Sequence, residues 1–238
     1  PDLPQALNNR GNALRFLRRP EDALASFDRA IALKPDYAKA RFNRADMKKG
    51  LGQNADALAE CNLLLSLTPD SADAFHLRGT ILLEMRRSED ALASFDKAIA
   101  LQPRLIPSLC GRARALIMQD RFEDALAQCD RVIALDPDNA VAHNNRGAAL
   151  SKLHRYADAK TCFDRAIALQ PDLAEAYFNR SGSLYESGAL EDALSDTQKA
   201  LALQPDFAEA ASFEFCLASH LCDWEARARK LQDIIRYC

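Results

Sequence analysis

Side chains able to do chemistry are few in this chain of 238 residues, and their spacing builds no reaction centre. The histidines, His76, His143, His154 and His220, are scattered, and no Gly-rich phosphate loop interrupts the sequence. His220 and Cys222 stand two residues apart, as half of a metal site would, but no second His–Cys pair accompanies them. Seven cysteines make an odd number with no CxxC spacing, so a disulfide framework is not indicated. Cys61, Cys129 and Cys162 fall where the chain's periodic pattern wants a buried residue, which predicts reduced core thiols and a reducing cytoplasm as the compartment. Catalysis by this stretch is not expected, nor is a cofactor or a metal. Recognition remains.

The side chains suited to recognition recur as Asn-Arg followed by a small residue: Asn9-Arg10-Gly11, Asn43-Arg44-Ala45, Asn145-Arg146-Gly147 and Asn179-Arg180-Ser181. Leu77 and Gly111 interrupt the Asn column, while Arg78 and Arg112 continue the Arg column. An amide both donates and accepts, as the main chain of an extended peptide requires. Asn9, Asn43, Asn145 and Asn179, with Asn12 and Asn144 beside them, are therefore the candidate peptide-binding residues. The alternative is that these amides serve the adjacent loops. The arginines invite two readings as well. Their stems can cover apolar surface while the guanidinium groups pair with Asp28, Asp96, Asp130 and Asp164, or they can meet an acidic ligand.

The elements that position these residues follow from one period. Prolines stand at Pro1, Pro35, Pro69, Pro103, Pro137, Pro171 and Pro205, each 34 residues after the last. Asp follows Pro everywhere except at Arg104, so Pro is expected to end one helix and Asp to cap the next, with Asp172/Glu175 and Asp206/Glu209 at capping-box spacing. Between prolines lie two apolar-periodic segments split by a short break, for instance Arg18-Arg19-Pro20 or Gly188-Ala189, so each unit reads as a helical hairpin. Acid pairs such as Glu21-Asp22 and Glu191-Asp192 fall in the first turn of the second helix, where negative charge suits the helix dipole.

One column reads Ala23, Ala57, Ala91, Ala125, Ala159, Ala193, and another Gly11, Ala45, Gly79, Ala113, Gly147, Ser181. Phe27, Cys61, Phe95, Cys129, Phe163 and Thr197 supply bulk, followed by Ala30, Leu64, Ala98, Val132, Ala166 and Ala200. This small–small–aromatic–small–Pro order resembles the tetratricopeptide repeat. The resemblance implies an all-α, right-handed superhelical solenoid of hairpins at 4–37, 38–71, 72–105, 106–139, 140–173 and 174–207, whose first helices line an inner groove that binds proteins or peptides. Arg41 and Lys48 replace residues that are usually apolar, which predicts a looser first helix in the second hairpin. The carboxylate-clamp groove of chaperone-binding relatives is matched only in part, by Lys39, Asn43 and Asn9.

The balance of 31 Lys+Arg against 34 Asp+Glu is interleaved and builds no basic field for nucleic acid. No apolar run approaches the roughly 18–20 residues that span a bilayer. Residues 1–3 read as the end of an absent upstream hairpin, which predicts self-association through an uncovered apolar face near Leu7, Leu14 and Phe16. The repeat loses register after Phe207, so 208–238 reads as a capping or junction segment, in which Cys222-Asp223-Trp224 precedes a charged helix. With the Asn column, that tail resembles bacterial relatives of O-linked N-acetylglucosamine transferase. The resemblance implies the substrate-recognition arm of a glycosyltransferase, the alternative being a free-standing scaffold with no enzyme attached.

Overall fold

The computed structural model describes residues 3–221, and every regular element among them is a helix. Among the described residues, those up to Asp120 form one compact unit and those from Arg121 a second. The first holds α1 (Pro4–Phe16), α2 (Pro20–Leu33), α3 (Ala38–Gly50), α4 (Asn54–Leu67), α5 (Ala72–Glu84), α6 (Ser88–Leu101) and α7 (Ile106–Ile117). The second holds α8 (Phe122–Leu135), α9 (Ala140–Lys152), α10 (Tyr156–Leu169), α11 (Ala174–Glu186) and α12 (Leu190–Leu203), followed by α13 from 208 to 221. Within each unit the first helices of successive hairpins touch, α1 on α3, α3 on α5, α5 on α7 and α9 on α11, and second helices such as α2 and α10 pack between the first helices on either side. The odd-numbered helices thus form the closer-spaced layer, the arrangement of a helical repeat solenoid. None of the described helices is long and apolar enough to cross a membrane.

Each link between hairpins is a β-turn. The amide of Tyr37 donates to the Lys34 carbonyl at 3.0 Å, and the same bond recurs from Ser71, Leu105, Asn139, Leu173 and Phe207. Pro takes the first corner, where its fixed φ is already correct, and Asp or Arg104 the second. This corrects the expected capping. Because Pro and Asp are spent as the turn's corners, the helix begins one residue late for the aspartate, and the N-caps are Tyr37, Ser71, Leu105, Asn139 and Leu173. Of these, only Ser71 and Asn139 cap with a side chain, accepting from the amides of Ala74 and Ala142. Asp172 with Glu175 forms no capping box, since Leu173 holds the cap position.

Within each hairpin the chain reverses through one left-handed residue per 34: Arg18, Gly52, Arg86, Asp120, His154 and Gly188, with φ between 53° and 84°. After most of them the next amide reaches back five residues, as Arg87 does to Leu82 at 2.9 Å, closing a Schellman motif. Four of these residues carry a Cβ in a conformation that glycine adopts without penalty. Arg86→Gly should therefore raise stability by about 1 kcal/mol, read as a higher urea midpoint with unchanged slope.

The core of each hairpin is a fitted pair. Phe27, Phe95 and Phe163 are fully buried, and each lies against a glycine of the first helix. A Cβ on Gly11, Gly79 or Gly147 would come within 2.4, 2.6 and 2.6 Å of the ring. Where the first helix carries Ala45 or Ser181, the second carries the smaller Cys61 or Thr197. Ring volume in one helix is matched by bare backbone in the other, which is how interior packing density is maintained. Leu7 and Leu14, expected to be uncovered, are buried against Ile31 and Ala40 and against Phe27 and Met47; Phe16 alone of the three is exposed.

Candidate functional site

The arginine column is structural at four of its positions. Arg44, Arg112, Arg146 and Arg180 donate to Asp28, Asp96, Asp130 and Asp164, each 16 residues earlier on the preceding second helix, at 2.6–2.8 Å. Arg44 and Arg180 also reach forward 16 residues, to Glu60 and to both oxygens of Asp196, so each ties together the two second helices that flank it. The fork from Asp196 holds Arg180 firmly protonated against the cost of its partial burial.

Arg41, expected to loosen α3, is instead buried at 8% exposure and bonded twice, from Nε to the Pro35 carbonyl and from Nη1 to Glu60, both at 2.8 Å. The bond to the proline carbonyl belongs to its position in the hairpin. His143 and Tyr177, at the same place in later hairpins, reach the carbonyls of Pro137 and Pro171.

Two hollows open on the odd-numbered helices, one within each unit. The first, of about 360 Å³, is walled by Asn8, Asn12, Lys39, Phe42, Asn43 and Asp73. The second, of about 660 Å³, is walled by Lys152, Phe178, Asn179, Gly182, Glu209 and Phe213. Its floor is aromatic: Phe178 meets Phe213 edge-on at 6.0 Å, and Phe213 meets Tyr185 at 5.5 Å. The two hollows share four register positions, Asn12 with Ala148, Phe42 with Phe178, Asn43 with Asn179 and Asp73 with Glu209, separated by four repeats.

The candidate asparagines divide between these surroundings. Asn43 and Asn12 wall the first hollow and Asn179 the second. Asn9 is exposed on α1 and lines neither hollow, and Asn145 is buried within α9. Asn144, at 1% exposure, lies behind Asn179 and accepts a hydrogen bond from its Nδ2 at 3.0 Å. Asn43 makes the same bond to Asn8 at 2.8 Å. Each bond spans 35 residues, one hairpin and one position, so the amides stand in diagonal pairs rather than in a vertical ladder.

Asn8 is the residue that reading single columns misses. The signal is present at an offset of 35 residues. Asn8 answers Asn43 and Asn144 answers Asn179, whereas Phe42 packs on the cluster of buried Leu77, and Phe178 on Phe213. Leu77 breaks the Asn column because its diagonal partner is apolar. Gly111 breaks it because a Cβ there would lie 2.5 Å from the Phe95 ring.

One polar atom in the first hollow is unsatisfied. Asn12 Oδ1 is buried and accepts no hydrogen bond, a condition that costs about 1–3 kcal/mol unless a donor arrives. Asn43 spends one amide hydrogen on Asn8 and keeps a second to offer.

The cysteines offer no nucleophile in the core. Burial, reinforced by the neighbouring Glu60 charge, pushes the Cys61 thiol up to about 12, so it stays protonated. Cys110, Cys129 and Cys162 are also buried, and none of them is in a disulfide. Among the described residues, no group of three or more His, Cys, Asp or Glu side chains is placed to hold a metal. His220 stacks on Tyr185, with ring centroids 5.7 Å apart; Cys222 and Trp224 lie outside the described residues.

Two family models described as tetratricopeptide repeat match the sequence, one at residues 4–37 and 140–173, the other at 76–140 and 110–150. No curated protein sequence matches it. Among solved structures, a tetratricopeptide repeat protein from Parabacteroides merdae ATCC 43184 superimposes with a TM-score of 0.81 at 20% identity, over 90% of this chain and 84% of that one. PilW, a type IV pilus biogenesis factor, gives 0.74 at 21% identity, over 88% and 97%. YrrB, described as a TPR protein with an unusual peptide-binding site, gives 0.52 at 22% identity, over 79% and 97%.

Proposed function

Because the chain belongs to the tetratricopeptide repeat family, whose hairpins serve protein–protein interaction, we propose that it holds an extended segment of a partner polypeptide against its first-helix faces. The observation that carries this reading is the buried, unpartnered Asn12 Oδ1 in the wall of the first hollow. A main-chain N–H is the donor that completes it, and the free hydrogen of Asn43 Nδ2 is available to a main-chain carbonyl. Phe42 in the same wall takes the apolar part of a side chain, and Lys39 and Asp73 meet charge of either sign at its rim. Phe178 and Phe213 make the second hollow a seat for a larger apolar side chain.

A twelve-residue random peptide library panned on the protein supplies the probe. For a peptide so selected, Asn12→Leu should weaken binding about tenfold by fluorescence anisotropy, with the helical circular dichroism unchanged. Equal affinity in a folded variant removes the main-chain reading.

The narrower reading makes the array the recognition arm of a glycosyltransferase. Its support is the asparagine column and the stretch Cys222-Asp223-Trp224, so it rests partly on residues outside those described. A nucleotide-sugar-binding domain encoded beyond residue 238 would support it, and a stop codon soon after would leave the free-standing scaffold. Cytoplasmic residence belongs to the same proposal, supported by the buried, reduced thiols.

A further inference from the structure

Among the arginines of the column that follow a complete hairpin, Arg78 lacks the aspartate that the others have. Arg78 on α5 occupies the position of Arg44, Arg112, Arg146 and Arg180, but 16 residues before it stands Asn62 and 16 after it Ser94. Neither neighbour serves as a counter-charge: Asn62 is an exposed amide on α4, and the Ser94 hydroxyl donates to the Asp90 carbonyl of its own helix. The nearest acid along α6, Asp96, is held by Arg112. Arg78 Nε is buried with no acceptor, although this is the atom that binds the aspartate in Arg112 and Arg146. The repeat has preserved the cation and the place for a carboxylate, and replaced the carboxylate by an amide.

We propose that Arg78 is a docking point for an Asp or Glu side chain of a partner polypeptide, which enters between α4 and α6 and takes the place that Asp28, Asp96, Asp130 and Asp164 fill elsewhere. This surface lies on the second-helix side of α5 and is separate from the two hollows. Charge complementarity selects the occupant. All four satisfied arginines are answered by aspartate, through Nε in Arg112 and Arg146 and through Nη1 in Arg44 and Arg180. A partner using this point together with the first hollow would bind with the gain of two linked contacts.

The test follows the arginine Nε–H resonances of the ¹⁵N-labelled protein during titration with the capped peptide acetyl-Gly-Glu-Glu-Glu-Gly-amide. The Arg78 signal should shift saturably, with a midpoint on the order of 1–10 mM for a single surface contact. Asn62→Asp supplies the missing carboxylate internally and should abolish that shift while raising the unfolding midpoint. Asn12→Leu should leave the shift intact, which separates this site from the hollow. A shift that persists in Asn62→Asp overturns the proposal. So does an equal shift with the Gln-substituted peptide, or saturation by inorganic phosphate at the same concentration, which would mark a general anion site.

Discussion

Glu60→Ala should cost this protein about 3–5 kcal/mol, more than a surface ion pair could account for. Glu60 is 7% exposed and accepts from both Arg41 and Arg44, so removing it takes an acceptor from two guanidinium groups and strands one of them, Arg41, at 8% exposure. Arg44 retains Asp28, but Arg41 keeps only the Pro35 carbonyl. The first hairpin shows the apolar solution to the same geometry, with buried Leu7 and Ser26 at the equivalent positions. Arg41→Leu combined with Glu60→Ser should therefore come back to within about 1 kcal/mol of the parent, because an ion pair replaced whole is close to neutral. Denaturant titration of the three proteins decides it; a double variant as unstable as Glu60→Ala would show that the pair does more than neutralise itself.

The fitted cores lead to a second strong effect. Gly147→Ala places a Cβ within 2.6 Å of the buried Phe163 ring, and overpacking of this kind costs about 1–3 kcal/mol. Phe163→Cys leaves a cavity and should cost about 3 kcal/mol. Made together, the two changes copy the Ala45–Cys61 pairing of the second hairpin, and the loss should fall short of the sum by at least about 1 kcal/mol. Native-state hydrogen exchange on α9 and α10 localises the change, since a repeat array opens hairpin by hairpin. Strict additivity would mean that the ring and the glycine do not sense each other.

The sequence displays the hairpins openly because the prolines and the small-residue columns obey one period, and each element depends on neighbours near in the chain. The Arg–Asp ties were readable for the same reason: both partners are columns. Arg41 was not, since its acid lies 19 residues away in a column that elsewhere holds Ser, Gln, Cys and, once more, an acid at Asp196, and burial gives the pair its meaning. The aspartate cap was misplaced by one residue because Pro-Asp suits a turn corner as well as a helix start. At the site, Asn43 and Asn179 could be picked out by type, but their partners Asn8 and Asn144 lie across columns, and only the stacking of hairpins sets that diagonal. The hollows depend on how Phe42, Phe178 and Phe213 pack, which no spacing rule encodes.

The diagonal pairs also bear on how such an array can grow. A hairpin copied in tandem sets its own forward-facing residue against its own backward-facing one. The first hairpin carries Asn8 and Asn9 at these places and the fifth Asn144 and Asn145, so a duplicate of either would meet itself amide to amide. A duplicate of the second would press Phe42 against Asn43, and one of the sixth would set Phe178 against Asn179. Gene duplication can therefore lengthen this protein at the first or fifth hairpin without a compensating substitution at this pair, while a copy of the second or sixth would need one.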